Sequence, residues 1–90
     1  MKREEQVKRN MELFAIFMMK ALNSPELRER VPDSADLIFL PDNDAELREA
    51  NLRLTEELRL QGKKPTLIRI SYVPETMTVL VPQIELLETA

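Results

Sequence analysis

Three acids, Asp42, Asp44 and Glu46, alternate with an amide and an alanine in Pro41-Asp42-Asn43-Asp44-Ala45-Glu46. Carboxylates in this number suit a hard divalent cation such as magnesium, which takes oxygen ligands. The cluster follows Leu37-Ile38-Phe39-Leu40, a short apolar run of strand character. In open α/β sheets, ligands bind beyond the carboxyl ends of the strands. One reading is therefore a hydrolase or binding protein with a divalent-metal site on Asp42, Asp44 and Glu46. The other is a helix start. Asn43 suits the N-cap, Glu46 three residues later completes a capping box, and Asp44 places negative charge where the helix dipole favours it. The helix start is the stronger reading, because it leaves only Asp42 without a role. A calcium loop, besides, needs a longer run of ligands and an internal glycine.

The remaining chemistry is narrowed by what the chain lacks. Its 90 residues contain no cysteine and no histidine, so thiolate metal sites, classical zinc sites and histidine acid–base catalysis are closed. Phosphate loops need several glycines, whereas the one glycine here, Gly62, falls at a helix end. Ser24, Ser34 and Ser71 have no histidine to activate them, and Lys63 and Lys64 are unmotivated substitutes. The chain is expected to be non-enzymatic and to use no cofactor.

The elements that would position these residues follow from periodicity and punctuation. Glu4–Leu22 has the 3.6-residue pattern of an amphipathic helix, with Val7, Met11, Phe14, Ala15, Met18 and Leu22 along one stripe. Leu13, Ile16 and Phe17 lie off that stripe, more apolar surface than one small sheet requires. Ser24-Pro25 restarts a short helix that Pro32 halts. Leu37–Leu40 is then a strand apolar on both faces. Asp44–Gln61 is a helix with Leu47, Ala50, Leu54 and Leu58 inward, closed by Gly62 in the left-handed conformation. Thr66–Val73 alternates as a strand, sending Ile68, Ile70 and Tyr72 one way and Leu67, Arg69 and Ser71 the other. Pro74-Glu75-Thr76 reads as a turn and Met77–Val81 as a returning strand, which Pro82 either ends or marks as an edge. Residues 83–90 read as a short helix or a frayed extension.

This order predicts an α/β chain of α+β two-layer type. An N-terminal helix (4–22) and a short helix precede a strand-helix-strand-strand unit (37–81) with a three-stranded mixed sheet. Ninety residues predict a single domain, and a domain this small is thinly stabilised unless a disulfide, a metal or a second subunit supports it. Disulfides and cysteine- or histidine-based metal sites are closed here, so a homodimer is expected. Its interface is predicted at Leu13, Ile16 and Phe17, with Leu37 and Phe39 of the two-faced strand. The methionines of the first helix, Met11, Met18 and Met19, could also serve an adaptable partner surface. A net charge of −3, a pI near 5.0 and few aromatics argue against nucleic acid as partner. The opening MKREEQVKRN is no signal peptide and no apolar run approaches a membrane span, so a cytoplasmic location is expected.

The run Val31 to Leu47, continued by Asn51-Leu52, resembles a family of small prokaryotic proteins of unknown function. The pattern carrying it is Pro32-Asp33-x-Ala35, then Leu40-Pro41-x-Asn43-Asp44-x-Glu46-Leu47, then Asn51-Leu52, with a Gly-containing turn and strand at Gly62 to Ile70. The likeness covers roughly Pro25 to Ile70. It implies no activity, and it implies that the strand-to-helix motif belongs to the scaffold.

Overall fold

A computed structural model describes residues 1–74 and 80–89. Its elements in chain order are α1 (Arg3–Leu22), α2 (Pro25–Arg30), β1 (Leu37–Pro41), α3 (Ala45–Leu60), β2 (Thr66–Pro74) and β3 (Leu80–Thr89). The three strands form one sheet in the order β1-β2-β3, with β1 parallel and β3 antiparallel to β2. Helices on a three-stranded mixed sheet, with one helix between β1 and β2, are the α+β architecture the sequence predicts.

The helices stop where local chemistry stops them. Ser24 caps α2 by accepting from the Leu27 amide, and Pro25 occupies the first turn. Arg28 then reaches back and donates to the Ala21 and Leu22 carbonyls, two of those that α1 leaves open at its end. At the end of α3, Gly62 takes a φ of 79°, its amide donates to the Arg59 carbonyl, and the Lys63 amide donates to that of Leu58. That crossed pair is a Schellman closure, and its left-handed residue is the one glycine of the chain.

Both faces of β1 are covered within one chain, which accounts for its two-sided apolarity. Phe39 lies with Ile68 and Ile70 of β2 under Leu13, Phe17 and Ala21 of α1. Ile38 and Leu40 face the other way with Leu67, against Leu54 and Leu58 of α3. Farther along β2 that second face is polar: Arg69 is exposed and Ser71 half-buried, as the alternation predicts.

Three expectations change. The first concerns α1, whose inner and outer sides are exchanged. Leu13 and Phe17, expected off the inner stripe and at an interface, are 8% and 4% exposed, whereas Met11 and Leu22 of the expected inner stripe are 67% and 69% exposed. The second concerns the end of the chain. Residues 83–89 are neither helix nor frayed but continue β3, and pairing runs through Pro82, opposite Tyr72, to Thr89 opposite Thr66. Proline is tolerated because β3 is the outer strand of the sheet and has a side that needs no donor. The expected turn residues Glu75 and Thr76, and the first three residues of the expected strand Met77–Val81, lie outside the described residues. The third concerns α3: Asn51 and Thr55 are fully buried beside Leu47 and Ala50, while Leu54 and Leu58 are only half-buried.

Candidate functional site

The acidic cluster sits where the sequence places it, beyond the carboxyl end of β1, but each carboxylate has a basic partner. Asp44, not Asn43, is the N-cap of α3; its side chain accepts from the Leu47 amide at 3.1 Å. The cap moves one residue because β1 runs through Pro41, and the Asp42 amide still donates to the Ile70 carbonyl of β2. Glu46 therefore completes no capping box. It faces Arg9 of α1 at 3.3 Å, and the same guanidinium spans both oxygens of Asp44 at 3.2 Å and meets Glu5 at 3.0 Å. Hydrogen bonding to Glu5, then the charge and hydrogen bond of Asp44, raises the Arg9 pKa above its ordinary value. Asp42 turns away to Arg69 on β2 and accepts three hydrogen bonds of 2.9 to 3.2 Å. Those bonds, with the charges of Arg69 and Arg48, hold the Asp42 carboxyl below the usual carboxylate range.

The cluster thus divides between two arginines. A divalent ion on Asp42, Asp44 and Glu46 would have to displace Arg9 from two of them and Arg69 from the third. Among the described residues, no three acidic, histidine or cysteine side chains are grouped so as to hold a metal ion. A cleft of about 360 Å³ lies beside the cluster, lined by Lys8, Arg9, Glu12, Asn43, Asp44 and Tyr72 among others. Its charged groups are of both signs, and the arrangement ties α1 to the start of α3.

Sequence reasoning missed the polar centre behind that tie. Asn51 is 1% exposed and all four of its side-chain hydrogen-bonding positions are used. Its amide nitrogen donates to the Phe39 carbonyl at 2.7 Å and to Asn10 Oδ1 at 2.8 Å; its oxygen accepts from Gln6 and Asn10 at 3.0 and 3.1 Å. The Asp42 and Thr66 amides bond across to β2 and from β2 to Asp36, so even-numbered residues of this strand turn their backbone groups toward β2. The carbonyl of odd-numbered Phe39 consequently points to the free edge of β1. Asn51 seals that edge from α3, and Gln6 and Asn10 fasten α1 to the seal. Two signals pointed to it: Asn51 lies four residues after Leu47, on the side of α3 that must face inward, and it belongs to the pattern that carries the family resemblance.

Of the residues expected at an interface, Leu13, Phe17 and Phe39 are core and Ile16 and Leu37 are half-buried against it. What lies open is the other side of α1. Val7, Met11, Phe14, Met18 and Leu22 are all at least 40% exposed and recur at spacings of 4, 3, 4 and 4. Phe14 is 46% exposed, with its ring centroid 6.4 Å from that of Phe39. Beside this stripe, between α1 and the segment Val31 to Leu37, run two open apolar grooves. One of about 430 Å³ is bounded by Val7, Met11, Phe14 and Leu37, and one of about 490 Å³ by Phe17, Met18, Leu22 and Val31. No helix among the described residues is long and apolar enough to cross a membrane.

A family model, described as a family of unknown function (DUF5647), matches residues 5–82. The chain belongs to that family. The match takes in α1 from Glu5 onward, the acidic cluster, Asn51, β1 and β2, and the start of β3, so the DUF5647 domain includes both the sealed edge of β1 and the exposed side of α1. Neither the curated proteins nor the solved structures contain a match to the chain.

Proposed function

We propose that this chain is a non-enzymatic protein–protein interaction module, and that its contact surface is the outer side of α1. The observation that carries this reading is the unpartnered stripe of Val7, Met11, Phe14, Met18 and Leu22, which the single chain leaves in water. With Met19, these side chains expose apolar surface on the order of 600 Å², the upper end of what a monomer usually shows. Methionine supplies three of the six, and its flexible thioether repacks easily against a partner. The acidic cluster supports the same reading indirectly, since its carboxylates are engaged by arginines that hold α1 and the sheet in place.

Met11→Glu tests it. The side chain is exposed, so the variant is expected to keep the wild-type helical signal, and the same melting temperature at concentrations where both chains are monomeric. Sedimentation and co-purification from native lysate are then compared between the two proteins. Loss of an associated species, whether a second copy or another protein, supports the module. Identical behaviour in both assays overturns it.

A further inference from the structure

We infer that the occupant of this surface is a second copy of the same chain, its α1 laid antiparallel against the first. The inference rests on the interaction-module reading and names the partner. Positions 7, 11, 14 and 18 are the d, a, d and a positions of a heptad pattern, the spacing by which one helix packs on another. The stripe is self-complementary about a two-fold axis between residues 12 and 13. There Met11 of one copy lies over Phe14 of the other, and Val7 over Met18, so that all four residues are used twice. Met19 lies outside this seam, and without it the stripe with Leu22 exposes apolar area on the order of 500 Å² a side, about the 1,000 Å² in total that a biological interface should clear.

Charge selects the orientation. In a parallel pair Glu4, at an a position, faces its own copy, and Arg3 at g meets Lys8 at e of the partner. Both contacts oppose like charges, and each copy contributes to them. In the antiparallel pair the charged first half of α1 meets a second half, Leu13 to Leu22, whose one charge is Lys20. Glu4 then comes level with Ala21 of the second copy, where Arg28 sits on the carboxyl end of α1, and the two helix dipoles run antiparallel, which is favourable.

The chain has no cysteine, so single-cysteine variants report the arrangement without background. An equal mixture of Val7→Cys and Met18→Cys chains is expected to give a disulfide-linked dimer under mild oxidation. Val7→Cys alone is expected to give none, because the two copies of that position lie about 16 Å apart along the axis and a disulfide needs α-carbons within about 7 Å. Wild-type protein is expected to sediment as a dimer in the micromolar range, and Met18→Glu to weaken that dimer on the order of 100-fold while remaining folded. Ready cross-linking of Val7→Cys to itself overturns the antiparallel arrangement. A wild-type monomer throughout the micromolar range overturns the second copy as occupant, and the lysate comparison with Met11→Glu still judges the module by itself. A dimer that Met18→Glu leaves intact places the contact elsewhere and also overturns the inference.

Discussion

The two sides of α1 carry the same spacing and have opposite fates. Gln6, Asn10, Leu13, Phe17 and Ala21 recur at 4, 3, 4 and 4, and so do Val7, Met11, Phe14, Met18 and Leu22, one residue later and therefore about 100° around the helix. The second set is the more hydrophobic, yet the first is the one that faces the sheet. The difference lies in what each side finds opposite it. Leu13, Phe17 and Ala21 meet Phe39, Ile68 and Ile70, while Gln6 and Asn10 meet an amide that needs partners. Apolarity alone would have turned the helix the other way. A matched buried polar group fixes the rotation, since leaving a buried amide unsatisfied costs about 1–3 kcal/mol.

The largest test of this contrast is to truncate both phenylalanines. Phe17→Ala empties a site packed against Phe39, with ring centroids 5.8 Å apart, and is expected to cost about 3–5 kcal/mol of unfolding free energy. Phe14→Ala, on the half-exposed side, is expected to cost about 1 kcal/mol or less at concentrations where the chain is monomeric. Urea unfolding at low protein concentration measures both. Equal losses would mean that the two sides of α1 are equally buried, and the contrast would collapse.

The next test removes the polar match. Asn51→Ala leaves the outward carbonyl of Phe39 and the side chains of Gln6 and Asn10 without their partner, and is expected to destabilise the fold by about 2–3 kcal/mol. Much of that loss should return when Gln6 and Asn10 are also replaced by leucine, because removing both sides of a polar contact costs far less than removing one. A triple variant no better than Asn51→Ala would show that the bond to the β1 edge, and not the tie to α1, dominates.

This balance also explains what could be read from the sequence. Element types and order are local matters of apolar period, capping serine and proline, and a lone glycine; the three helices, β1 and β2 follow from such signals, while of the described β3 only Leu80 and Val81 do. Pro82 left open whether β3 ends there or lies at an edge, and the edge is what holds, a tertiary fact that the local sequence does not decide. The rotation of α1 was illegible for a similar reason. Two stripes one residue apart can be distinguished only by their partners, and the decisive partner is a single asparagine forty-one residues from Asn10. The acidic cluster was half legible. Its role as a helix start is visible in residue types, while the shift of the cap from Asn43 to Asp44 depends on Arg9 and on how far β1 runs.

The smallest effect is expected at Asp42 and Arg69, on the polar side of the sheet and away from α1, and its pH dependence separates it from the buried contacts. Asp42 is titrated at a pKa below its unfolded value, because Arg69 donates to the charged form. Such a group adds stability that is fully present above the ordinary carboxylate pKa of about 4 and is lost as pH falls through the depressed folded value. Asp42→Asn should therefore be less stable than wild type at pH 7, and the gap should close toward pH 2 and narrow in high salt, as exposed pairs do. The loss at Asn51→Ala has no titrating group behind it and should keep its size across the same window in which the fold persists. Chemical unfolding of both variants at two pH values makes the comparison. A gap for Asp42→Asn that does not change with pH would mean that the side chain acts through shape and hydrogen bonding without its charge, as Asn51 does at the sealed edge.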